Sequence, residues 1–158
     1  MSDNPDNAVV IERIFDGPVD LVWRMWTVGD DFQKWYGPQG FTIPTADFDL
    51  QVGGRRFVGM ESPDGSMKMW FVGEFREVTA PTRLVYTESM ADENGNVLSP
   101  ADMGMPDMHD VTEITVELED LGDKTRMAMT HAGVPADSPG AAGWTQAFDK
   151  LAVAVAEV

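Results

Sequence analysis

The chain has 158 residues, 11 of them basic and 27 acidic, for a formal charge of −16, which suits one domain and argues against nucleic acid or an anionic membrane as partner. It has no cysteine, which excludes disulfides, thiolate metal sites and cysteine nucleophiles. No apolar run approaches the ~20 residues a membrane helix needs, and the acidic start lacks the basic and apolar regions of a secretory signal, so a cytoplasmic location is expected.

Residues 1–7 read as a flexible leader to a single domain over 8–158. Val9, Ile11, Ile14 and Phe15 mark a first strand that ends at Asp16-Gly17. Pro18 suits the first turn of a helix, where a missing N–H costs nothing, and Leu21, Val22, Met25 and Trp26 recur at helical spacing. A second short helix is expected from about Asp30 to Trp35, broken by Tyr36-Gly37-Pro38. Strands follow over 41–50, 55–61 and 67–78, with Ser62-Pro63-Asp64-Gly65 as the clearest turn between them. A strand over 84–90 comes next.

Residues 91–110 carry Asn94-Gly95, two prolines and three methionines without a regular period, and read as a loop able to act as a flap. Residues 112–119 alternate cleanly, with Ile114, Val116 and Leu118 on one face. The last strand, 125–131, puts Met127, Met129 and His131 on one face. Ser138-Pro139 opens a helix of about 18 residues, ~27 Å long, whose apolar stripe is Trp144, Phe148, Leu151 and Val155.

Strands joined by tight turns imply an antiparallel sheet. One face alternates polar and meets water; the other needs cover, and only the terminal helix is long enough to supply it. A bent sheet around one helix leaves space for a ligand. The inward face draws on Leu84, Tyr86, Glu88 and Met90, and on the last strand's Met127, Met129 and His131. The long strand offers either Met67, Met69, Phe71 and Phe75, or Trp70 and Val72; the first set is preferred because the second parity continues into Glu74 and Arg76. Trp144 and Phe148 face them from the helix. Plain methionine-filled core is the alternative account of these positions.

The candidate ligand-cavity residues are therefore Met69, Phe71, Tyr86, Glu88, Met127, Met129, His131, Trp144 and Phe148. Glu88 and His131, if inward, need partners, and as a pair they would orient a ligand or move a proton. Arg55-Arg56 reads as an isolated basic pair. His109-Asp110 with Asp102 and Asp107 makes a poor metal site, since only one histidine lies there and the acids lack calcium-loop spacing. Residues 84–123 hold no lysine or arginine and eleven acids, which makes a negative surface. No metal, cofactor or standard catalytic motif is expected.

Several segments resemble one family. They are Phe15-Asp16-Gly17-Pro18 leading into Val22-Trp23-Arg24, then Lys34-Trp35-Tyr36-Gly37-Pro38, then Asp49 with Val52-Gly53-Gly54-Arg55. Gly73-Glu74-Phe75-Arg76-Glu77-Val78, Leu84-Val85-Tyr86-Thr87-Glu88-Ser89, Gly143-Trp144 and Asp149-Lys150-Leu151-Ala152 continue the likeness. Together, over about residues 8–157, they resemble the activator-of-heat-shock-protein-ATPase-like domain of the START-like, SRPBCC superfamily. The family's Trp-Trp-Gly-Pro is Trp-Tyr-Gly-Pro here. The resemblance implies an α+β helix-grip fold: a curved seven-stranded antiparallel sheet around a long C-terminal helix, with two short helices after the first strand. It also implies a cavity for a small hydrophobic molecule, and no particular reaction. Three functions follow as expectations. The first is a small apolar-ligand binding protein, a monomer or homodimer. The second is an interaction module for a heat-shock ATPase, and the third a cyclase- or hydratase-like enzyme using the same cavity.

Overall fold

The computed structural model describes residues 8–99, 111–134 and 139–156. The elements run β1 (Ala8–Phe15), α1 (Val19–Thr27), α2 (Gly29–Phe32), β2 (Thr42–Phe48), β3 (Arg55–Glu61), β4 (Lys68–Thr79), β5 (Arg83–Ala91), β6 (Thr112–Asp120), β7 (Thr125–Ala132) and α3 (Pro139–Ala156). The seven strands form one open antiparallel sheet in the order β1-β7-β6-β5-β4-β3-β2. This is the helix-grip arrangement, with the short α1 and α2 inserted after β1.

Two helix boundaries differ from the pattern. Pro18 stands just outside α1, at φ −71° and ψ 157°, because its carbonyl already accepts from the N–H groups of Leu21 and Val22. The second helix is a single turn, Gly29–Phe32; Trp35 lies beyond it, its indole N–H donating to the Met25 carbonyl at 2.8 Å. The leader 1–7, residues 100–110 of the loop, the His109-Asp110 group and Ser138 lie outside the described residues.

Burial follows the alternation on β6 and β7, where Ile114, Val116, Leu118, Met127, Met129 and His131 are all buried. Trp144, Phe148, Leu151 and Val155 of α3 are buried against them, forming one core with Leu21, Val22, Met25 and Trp26 of α1. Lys150 ties α3 to the turn after α2, its Nζ donating to the carbonyls of Tyr36 and Pro38 at 3.1 Å each.

The expectation of a wet outer face fails on β5, the middle strand of the seven. There Val85, Thr87 and Ser89 are buried as well as Leu84, Tyr86 and Glu88. At one end of the strand Arg83 bridges Glu77 of β4 at 3.0 Å and Glu117 of β6 at 2.6 Å. Gly73 of β4 lets the Thr87 backbone come so close that a Cβ there would overlap its carbonyl. Further along β4 a bulge between Phe75 and Glu77 shifts the β4–β5 register.

Candidate functional site

The inward face of the sheet carries a buried polar cluster in an otherwise apolar and aromatic lining. Alternation on β3 groups Arg56 with Val58 and Met60, and all three are buried; Arg56 is 2% exposed. Alternation on β5 likewise brings Tyr86 and Glu88 inward, at 0% and 8% exposure. Arg56 Nη1 donates to Glu88 Oε2 at 3.4 Å, which joins two strands separated by β4.

That contact is long for a charge-assisted hydrogen bond, so aromatic faces contribute to holding the guanidinium. Its carbon lies 3.9 Å from the ring centre of Tyr86, 5.0 Å from Phe32 and 5.1 Å from Phe48. Arg56 Nη2 and the Tyr86 hydroxyl are buried without a hydrogen-bond partner among the described residues, as is Trp26 Nε1. Burial pushes the Glu88 carboxyl up, with the Arg56 guanidinium pulling it back. Burial also raises the phenols of Tyr36 and Tyr86; the Glu88 charge adds to this and Arg56 opposes it.

His131 belongs to a second chain of contacts. Trp144 Nε1 donates to His131 Nδ1 at 2.9 Å, and the other ring nitrogen, Nε2, lies 2.8 Å from Thr112 Oγ1. An indole N–H only donates, so Nδ1 is the acceptor and the neutral ring carries its proton on Nε2. The Thr112 hydroxyl is then free to donate to the Glu88 carbonyl at 3.3 Å. Desolvation, assisted by the positive charge of Arg56, lowers the His131 pKa to about 4. The ring is thus a neutral bridge from α3 through β7 and β6 to the backbone of β5.

The structure brings most of the sequence-derived candidates into one core. Met127, Met129, Tyr86, Glu88, His131, Trp144 and Phe148 are buried, while Met69 and Phe71 are half-buried and packed against that core. It does not join Glu88 to His131 through their side chains, because Arg56 takes the carboxylate and Thr112 takes the imidazole. Arg55 and Arg56 are not a pair in space: Arg55 is exposed with its guanidinium over Phe57, and Arg56 is in the core. Sequence reasoning missed Arg56, Tyr36 and Thr112. The first was findable, since Arg56 shares its parity with Val58 and Met60. Among the described residues no group of three or more histidine or acidic side chains is placed to hold a metal, and no helix is long and apolar enough to cross a membrane.

An open, curved seven-stranded antiparallel sheet around one long C-terminal helix, with two short helices after the first strand, is the START-like helix-grip fold. Within that class the chain belongs to the family described as "Activator of Hsp90 ATPase homolog 1-like protein", which matches over residues 16–156. Solved structures share the fold. A protein from Nitrosomonas europaea is 23% identical, with 98% of this chain and 97% of the other covered at a TM-score of 0.78. A protein from Arthrobacter aurescens is 26% identical, covering 97% and 88% at 0.78. An AHSA1-like protein from Aeromonas hydrophila is 25% identical, covering 95% and 92% at 0.71. No curated protein matches the chain.

Proposed function

We propose that this chain is a binding protein for a small, largely apolar molecule, seated between the inner face of the sheet and α3. The reading places it in the cytoplasm, as a monomer or homodimer. One observation carries it. Arg56 Nη2 and the Tyr86 hydroxyl are buried without partners among the described residues, on a face otherwise supplied by methionine and aromatic side chains. Leaving such donors unpaired is costly, and sites for apolar molecules characteristically set a few polar groups in an apolar lining. Met69, Phe71, Met127 and Met129 would supply adaptable contact, Trp144 and Phe148 flat aromatic surface, and Tyr86 orientation, with Glu88 holding Arg56 in place. His131 would act indirectly, by fixing Trp144. No observation favours the heat-shock ATPase module or the cyclase-like enzyme over this reading.

Thermal unfolding with a panel of fatty acids, lipids and aromatic polyketides tests it. A true ligand at about 100 times its Kd adds ~2.7 kcal/mol of stability and raises Tm by roughly 5–10 °C. No stabilisation by any member of the panel contradicts the reading.

A further inference from the structure

The core atoms without a hydrogen-bond partner among the described residues share one property. Arg56 Nη2, the Tyr86 hydroxyl and Trp26 Nε1 are all hydrogen-bond donors. The ring of Tyr86 lies against the Arg56 guanidinium, so the first two belong to one cluster. The rings of Tyr86, Phe32 and Phe48 lie within 5.1 Å of the guanidinium carbon, Glu88 holds Nη1 and the Tyr36 phenol also interacts with the side chain, yet Nη2 keeps no hydrogen-bond partner among the described residues and is the nitrogen offered to a guest. A guest that satisfies this cluster must bring an acceptor.

Charge decides which kind of acceptor. Glu88 already balances Arg56. A carboxylate guest would put a second negative charge beside a buried one, inside a chain whose formal charge is −16. The other groups around the cluster do not offset this. Tyr36 and Tyr86 are neutral phenols, β7 presents the neutral ring of His131, and β6 presents the Thr112 hydroxyl. From β4 the inward residues are Met69, Phe71 and Phe75, and from α3 they are Trp144 and Phe148.

We propose that the guest is an uncharged, mostly apolar molecule bearing a carbonyl oxygen, as in a ketone or ester, which accepts from Arg56 Nη2–H and from the Tyr86 hydroxyl. The proposal rests on the apolar-ligand reading above and specifies its chemistry. Arg56 and Tyr86 set the orientation of the guest, and Glu88 holds Arg56 in place.

Three probes on one skeleton test it by titration calorimetry near neutral pH: 2-acetylnaphthalene, its olefin isostere 2-isopropenylnaphthalene, and 2-naphthoate. The ketone is expected to bind about tenfold or more tightly than the olefin, as a hydrogen bond from a charged donor requires, and the carboxylate most weakly. Tyr86→Phe should reduce the ketone-to-olefin preference severalfold. The infrared carbonyl stretch of bound 2-acetylnaphthalene should lie below its value in hexane, a readout that needs no variant to fold. Equal affinity for ketone and olefin, an unshifted carbonyl stretch, or tighter binding of naphthoate overturns the carbonyl anchor and leaves apolar binding standing. Failure of all three probes to bind overturns the carbonyl anchor, and overturns the binding reading with it only where no member of the fatty-acid, lipid and polyketide panel raises Tm either.

Discussion

The indole N–H of Trp144 donates to Nδ1 of His131 at 2.9 Å, and this one bond fixes the tautomer of the ring. Because the donor cannot accept, His131 must stay neutral to keep it. Protonation would place two N–H groups head to head inside the core. The terminal helix and the last strand are therefore coupled through a group that titrates.

A pH dependence follows, and its sign is fixed. The ordinary histidine value of 6.5 falls to about 4 in the folded chain. Between those values the unfolded chain binds a proton that the native chain refuses, so stability is complete above pH 6.5 and declines as pH falls toward 4. The loss attributable to this group is about 3 kcal/mol. Urea unfolding at a series of pH values measures it, and His131→Asn should flatten that part of the profile. The Glu88 carboxyl, shifted up by burial, works in the opposite sense, so the comparison with the variant isolates the histidine.

Trp144→Phe keeps an aromatic ring against Phe148 and Trp26 but deletes the donor to Nδ1. The expected cost is about 1–3 kcal/mol, the range for a buried acceptor left unsatisfied. The His131 pKa should rise toward its ordinary value, because the neutral form loses a hydrogen bond that favoured it. NMR titration of the ring reads this directly, and an unchanged pKa would contradict the assigned tautomer.

Arg56→Met removes the cation and leaves Glu88 buried alone. The expected loss is about 3–5 kcal/mol near neutral pH, shrinking in acid as the carboxyl takes up a proton. The double variant Arg56→Met with Glu88→Leu should recover much of that loss, since it removes both charges. Chemical denaturation of the four proteins in the cycle checks this. A cost below about 1 kcal/mol for Arg56→Met would mean the pair is not held as described.

The centre of the sheet depends on a bare backbone at Gly73. A Cβ there would overlap the carbonyl oxygen of Thr87, and neither strand can retreat without breaking its ladder. Gly73→Ala should therefore cost about 3 kcal/mol or more, whereas Gly122→Ala meets nothing nearby and is limited to the strain of its φ of +93°. Comparing the two variants by urea unfolding separates a steric cost from a conformational one.

Much of this architecture could be read from residue patterns. The alternation of Ile114, Val116 and Leu118, and of Met127, Met129 and His131, corresponds to β6 and β7 almost residue for residue. The stripe Trp144, Phe148, Leu151 and Val155 is the buried face of α3. The polar cluster was harder to read. Alternation says which face a side chain takes but not which distant strand lies opposite, so Glu88 could be turned inward without disclosing Arg56 as its partner. An arginine beside a second arginine also reads as surface charge, and only its parity with Val58 and Met60 separates the two. The buried outer face of β5 was illegible for a related reason: the features the structure shows there, the ion pairs of Arg83 with Glu77 and Glu117 and the close approach at Gly73, leave no apolar signal in the sequence.

Methyl NMR of the methionines probes apolar binding at the inner face of the sheet, because methionines lie both there and on the surface. Titration with a ligand that raises Tm should shift the methyls of Met127, Met129 and Met69, while exposed Met67, at 51% accessibility, stays fixed. Shifts confined to Met67 and other surface groups, with the three inner methyls unmoved, would contradict the account.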